Sequence, residues 1–334
     1  MSKSCGLAAL CALAILTGGK GWAANSTGVQ PEIFGASTIS TRDDELAIAF
    51  APDGNTAWFT KRSPTTNTTP RSIICVTRRV DGRWIEPAVA TFSGTWNDFS
   101  TAVSSDGNRI VFASDRPTEP RRPAGTFDLW ETHRGDAGWS EPRNLGAPIN
   151  TDANESYPSL AADGTLYFAS SRPGGKGASD IWRARWTEGH YAEPENLLEI
   201  NTPGYESQPG VAPDQSYLVF ASIGRADTME TAGAPYHRTD LYISFHNANG
   251  WSEPRNLGAP INSPFSELTP TISPDGRWLY FASDRSFVSL PMRRLNTDQY
   301  EADLHGLLNG WDNIYRVPIS AIEHFRPSAR EKQQ

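Results

Sequence analysis

Apolar and polar residues alternate along this chain in short runs, each ended by a turn signal, and the runs recur in register. Glu45, Asp98, Glu155, Glu206 and Glu267 are each followed eight residues later by an Asp that opens a tight turn: Asp53-Gly54, Asp106-Gly107, Asp163-Gly164, Asp214-Gln215 and Asp275-Gly276. Five to six residues beyond stands a Phe within an alternating stretch (Phe59, Phe112, Phe168, Phe220, Phe281). Three to five further on comes an Arg: Arg62, Arg116, Arg172, Arg225 and Arg285. Six residues before each acid lies an apolar residue, Ile39, Phe92, Ile149, Ile200 or Ile261. Period-two alternation across an Asp-Gly turn marks a β-hairpin, so the acid opens one strand and the Phe lies in the next. Asp128-Leu-Trp, Asp180-Ile-Trp, Asp240-Leu-Tyr and Asn313-Ile-Tyr begin a third strand. The Trp-Ser-Glu-Pro-Arg-Asn-Leu region supplies a fourth, and residues 138–150 recur letter for letter at 250–262. Four-stranded units repeating every 51 to 61 residues are propeller blades rather than solenoid turns.

The fifth unit, from Glu267, has room for only three strands before Pro318, while Gln30 to Phe34 has the character of an isolated fourth. Pairing the two leaves no long sheet edge open. The expectation is an all-β, five-bladed propeller closed by its N-terminal strand, with six blades as the alternative. It occupies one domain over 25–320, with a tail over 321–334.

Composition agrees with short strands: of 334 residues, 28 are Gly and 25 Pro, too many breakers for long helices to dominate. The first two dozen residues stand apart. Lys3 precedes an apolar run from Cys5 to Thr17, then small residues up to Ala24, which reads as a signal peptide over 1–24. Gly18-Gly19-Lys20 interrupts the run short of a membrane span. Leu10 before Cys11 argues against a lipoprotein, so the expected location is the periplasm, with secretion as the alternative. Removing Lys3 and Lys20 moves the net charge from -8 to -10, against nucleic acid or an anionic membrane as partner. Cys75 is then the lone cysteine, in an apolar strand, and reads as core.

Ser273-Pro-Asp-Gly276 followed by Phe281-Ala-Ser-Asp-Arg285, together with the Glu-Pro-x-Asn-Leu-Gly-x-x-Ile-Asn segments, resembles the TolB-type, WD40-like (PD40) propeller repeat. The resemblance covers nearly the whole mature chain. It implies an exported bacterial β-propeller, often a protein-interaction platform of the envelope.

Antiparallel order brings the start of strand one, the end of strand two and the start of strand three to one face. That top face collects Glu45, Asp98, Glu155, Glu206 and Glu267 with Arg62, Arg116, Arg172, Arg225 and Arg285. Two readings follow: a binding face, or ion pairs that lock the ring. Loops add Trp96 and Phe265, each two residues before an acid, His237 in the fourth blade, and Tyr300 and His305 in the long loop from Ser286 to Asp312. There Thr297 is expected to cap a short helix with Tyr300, Leu304 and Leu307 on one face. No Gly-x-Ser-x-Gly elbow, His-Glu-x-x-His helix or phosphate loop occurs. No cofactor is expected, although the oxygen-rich turn Asp152-Ala-Asn-Glu155 leaves Ca²⁺ open. The sequence thus points to a monomeric, non-catalytic platform that binds an envelope protein or a small ligand such as a glycan fragment. The alternative is a periplasmic carbohydrate-active lyase or hydrolase with acids on the top face.

Overall fold

The computed structural model describes residues 28–63, 71–118, 126–229, 238–286, 294 and 296–327. The signal-peptide segment and His237 lie outside them. Five antiparallel sheets form the blades of a propeller. The innermost strands are Asp44–Phe50, Asp98–Val103, Glu155–Leu160, Tyr205–Val211 and Glu267–Ile272. Each turns through its Asp-Gly hairpin or the blade-four Asp-Gln equivalent into a second strand, and a third and a short outer strand complete the blade. In the last blade the outer strand is Glu32–Ile33, paired antiparallel with Asn313–Pro318 through Glu32 opposite Arg316 and Ile33 opposite Tyr315. The ring closes as the sequence predicts.

At the hairpins Gly54, Gly107, Gly164 and Gly276 adopt left-handed φ between 68° and 86°, and Gln215 takes the same conformation in the fourth. Gln215 is held there from outside: its Nε2 donates to Asp163 of the preceding blade at 2.9 Å, and its Oε1 accepts from the Tyr167 hydroxyl at 2.8 Å.

The core lies between blades rather than within them. The repeat Phe residues, all fully buried, each join an apolar cluster that spans two neighbouring sheets, one cluster for each junction of the ring. Burying such a side chain contributes about 1.5–3 kcal/mol relative to leaving it in water. Cys75 belongs to one of these clusters, and burial pushes its thiol up to about 11, which suits a core residue and not a nucleophile. Ala321 and Ile322, assigned to the tail by the sequence pattern, are buried against the blade-four and blade-five cluster, so the packed domain runs past residue 320. Among the described residues no helix is long and apolar enough to cross a membrane.

Every innermost strand carries the same irregularity. Two residues after the repeat acid, Ala47, Ser100, Tyr157, Gln208 and Thr269 have φ between 46° and 57°, and the register with the second strand shifts around each. A non-glycine residue pays for this conformation, of order 1–3 kcal/mol, and persists only where its surroundings hold it. Here the neighbouring blade does so. Ala47 N–H donates to Thr269 Oγ1 at 3.0 Å, Ser100 N–H to Thr60 Oγ1 at 3.0 Å, and Thr269 N–H to Gln208 Oε1 at 2.7 Å. The five residues converge on the axis around a space of only about 20 Å³, room for one water, and so close the channel at its waist.

Candidate functional site

Side chains of the repeat acids are fully buried, which settles their part in the ring. Glu155 accepts from Thr151 N–H at 2.9 Å, Thr151 Oγ1 at 2.7 Å and Ser170 Oγ at 2.8 Å, and pairs with Arg172 at 3.4 Å. Arg172 also donates to the carbonyls of Pro148 and Ile149, with its guanidinium 4.9 Å from the Phe168 ring and 5.1 Å from Trp182. The arrangement repeats as Asp98 with Ser114 and Arg116, Glu206 with Ser222 and Arg225, and Glu267 with Ser283 and Arg285. Each Arg donates to the carbonyl of the apolar residue six positions before its acid: Phe92, Ile149, Ile200 or Ile261. Acid and Arg therefore staple blades two to five each to the turn leading into it, and eight of the ten predicted face residues are ring locks.

Blade one departs. Glu45 pairs with Lys61 at 3.4 Å, and Arg62, which sequence spacing groups with the lock arginines, turns elsewhere. Its Nε donates to Asp44 Oδ2 at 2.6 Å and its Nη2 to Asp312 Oδ2 at 3.1 Å. Asp44 opens the innermost strand of blade one. Asp312 immediately precedes the third strand of blade five, and Glu45 N–H donates to the Asp312 carbonyl at 2.9 Å, so the two strand ends are held side by side. Both carboxylates are buried, and each leaves its Oδ1 buried without a hydrogen-bond partner. Spacing alone could not find this pair. Comparing the blades position by position does: Asp44 stands where the others have Asn97, Asn154, Tyr205 and Ser266, and Arg62 where they have Asp115, Ser171, Ile223 and Asp284.

Electrostatics make the pair unequal. Burial, then the neighbouring Asp44 charge, push Asp312 up to about 8, against the attraction of Arg62. A proton held on Asp312 supplies the donor that the two orphaned oxygens lack. Burial also pushes the Tyr157 phenol up to about 12, with Tyr205 and Asp312 adding to the shift and Arg62 opposing it. Beside them opens a cleft of about 350 Å³, bordered by Asp44, Arg62, Lys61, Arg42, Arg71 and the 39% exposed Trp311.

These shifts give the fold a pH signature. Besides Asp312, burial pushes Glu267 up to about 8 and raises Glu45 and Asp240, so the native chain keeps protons that an unfolded carboxyl releases near pH 4. Stability from these groups is present below about pH 4 and is lost as pH rises toward 8. Glu195, held down by Arg183, and Asp106, held down by Ser104, act oppositely and lose their contribution below about pH 4. Melting temperature is therefore expected to peak at mildly acid pH and fall from about pH 5.5 to 8.5. A thermal-shift series that rises across that interval would contradict the assignment.

The remaining predicted residues do not join the pair. Trp96 is 40% exposed on its loop, whereas Phe265 is half-buried beneath the Arg238 guanidinium at 5.6 Å, next to the Arg238–Asp284 ion pair at 3.1 Å. The predicted helix forms at Thr297–His305, one residue earlier than Thr297 as cap would give: Asn296 is the cap, accepting from Gln299 N–H in a capping box. No residue of the helix is buried, so Tyr300 and Leu304 face solvent instead of packing over the channel, and His305 pairs with Glu301 at 3.1 Å. Asn309, beyond the helix, ties this loop to blade one through the Arg42 carbonyl at 2.8 Å. In the 152–155 turn Glu155 is spent on the ring lock and Asn154 Oδ1 accepts from Phe127 N–H, which leaves Asp152 alone for a cation.

The sequence matches no protein-family model and no curated protein. Among solved structures, the chain is similar to an α-L-arabinofuranosidase from Lactobacillus brevis, with a TM-score of 0.51 and 14% identity over 84% of this chain and 92% of that one. It is also similar to the catalytic domain of the Coprinopsis cinerea GH62 α-L-arabinofuranosidase, with a TM-score of 0.45 and 9% identity over 87% of this chain and 96% of that one. At such identity the likeness is one of fold, and this chain is a five-bladed β-propeller of four-stranded antiparallel blades.

Proposed function

We propose that the protein is a carbohydrate-active enzyme, a hydrolase or lyase, working by general acid–base chemistry at the top mouth of the channel. The supporting observation is the buried Asp44–Asp312 pair bridged by Arg62, of which Asp44 and Arg62 line the cleft, because two carboxyls held against one cation can divide acid and base roles between them. Asp312, whose proton affinity is raised, is the proton donor of the pair, Asp44 faces the cleft, and Arg62 orients both. Trp311 offers an aromatic face on which a sugar ring can stack. The sequence alone favours a non-catalytic platform built on the repeat acids; their burial in ring locks removes that basis, and the carboxyl pair favours the alternative. That a protein of similar fold is an arabinofuranosidase makes glycans the first substrates to try. Incubating the mature chain with neutral, uronate-bearing and sulfated polysaccharides between pH 5 and 8 should release new reducing ends, or unsaturated ends if it is a lyase. The same incubation with Asp312→Asn serves as the blank. No product from any of them would overturn the proposal.

A further inference from the structure

The cleft beside the carboxyl pair is cationic. Arg42, Lys61, Arg62 and Arg71 border it against only Asp43 and Asp44, in a chain whose overall charge is strongly negative. Two of the four cations are spent: Lys61 pairs with Asp43 at 2.7 Å and Glu45 at 3.4 Å, and Arg62 with the two site carboxyls. The other two are not. Arg71 donates only to the carbonyls of Gly94 and Thr95, and Arg42 makes no ion pair among the described residues. Both residues are exposed, and both line the cleft. An Arg without an acidic partner presents a planar fork of donors matched to a carboxylate or sulfate, and two of them line this cleft.

Resting on the reading of the site as glycan-active, we infer that its substrate is an anionic glycan whose carboxylate or sulfate is held by Arg42 and Arg71, while a neighbouring ring lies on Trp311. The anion-binding wall and the carboxyl pair are separate groups, so specificity and chemistry separate experimentally. Arg62, already neutralised, positions the acid–base pair and takes no part in anion recognition.

Calorimetric titration of the mature chain with trigalacturonate, its methyl ester and a sulfated trisaccharide tests this. At low salt, about 20 mM, the free acid should bind about tenfold or more tighter than the ester, and the difference should shrink at about 300 mM. Arg42→Ala with Arg71→Ala should abolish the preference while leaving ester affinity unchanged; because Arg71 also holds the Gly94 and Thr95 carbonyls, the double variant is first shown to melt as a folded protein, and Arg42→Ala alone should weaken the preference. Asp312→Asn should keep the preference. A sulfated ligand that binds tightly where the carboxylated one does not supports the same wall with sulfate as the anion. Equal binding of acid and ester, or a preference that survives both Arg substitutions, overturns the inference. Turnover of a neutral glycan with no preference for anions sinks this inference alone, whereas an anion preference without turnover of any glycan sinks the proposed catalysis and leaves the wall intact.

Discussion

Asp312→Asn is expected to lower turnover by about two to three orders of magnitude without loosening the fold. The two effects have one cause. A carboxyl that holds its proton to about pH 8 is neutral under assay conditions, so an amide of the same shape costs the packing nothing and keeps a group against Arg62. What disappears is the exchangeable proton. Above pH 8 the wild-type carboxyl must ionise beside Asp44 in a buried site, and the amide escapes that repulsion. The variant should therefore melt with the wild type near pH 6 and above it near pH 9, as expected where function rather than stability maintains a group. Thermal-shift curves at both pH values and a turnover assay on the same preparation check this. A variant that melts well below the wild type at pH 6 would make Asp312 a structural residue.

The second large effect lies in the ring. Arg172→Ala is expected to destabilise the protein by about 3–5 kcal/mol, since it leaves the Glu155 carboxylate buried without its cation. It also removes the donor that satisfies the Pro148 and Ile149 carbonyls and empties the space between Phe168 and Trp182. Denaturant unfolding gives the number directly. Glu195→Gln is the control: its pairs with Arg183 and Arg185 are half in solvent, and their loss should cost less than about 1 kcal/mol. Equal effects from the two substitutions would mean that the repeat acids are not locks.

How legible the molecule is in its sequence differs sharply between fold and site. The propeller, its blade count and its closure are visible because each blade solves one packing problem, and identical solutions leave identical letters. Phe112, Phe168, Phe220 and Phe281 fill equivalent junctions; Asn150, Asn201 and Asn262 each bond both backbone groups of the third-strand residue beside them. The same logic hides the site. A residue that recurs in every blade serves every blade, so spacing points to the locks and away from Asp44 and Asp312, which occur once. Arg62 falls between the two: its distance from Phe59 imitates a lock arginine, but it aligns with Asp115 and Asp284 in the strand pairing, one residue beyond the position that Lys61 shares with Ser114 and Ser283. Only cross-strand register separates these cases, and register is set by the bulge in each innermost strand, where Ala47, Ser100, Tyr157, Gln208 and Thr269 share no chemical character.

That ring of bulges turns the channel from a tunnel into a cup. With room for a single water at the waist, the axis admits no sugar ring from one mouth to the other, so if the top mouth acts on glycans as proposed, a polymer is not threaded along it. An enzyme working there, as proposed, would meet its substrate end-on or at a side branch and release it by the same mouth. The cavity of about 240 Å³ lined by Pro52, Pro158, Pro209 and Pro274 lies on the other side of that waist and shares Thr101, Pro158, Pro209 and Thr271 with it.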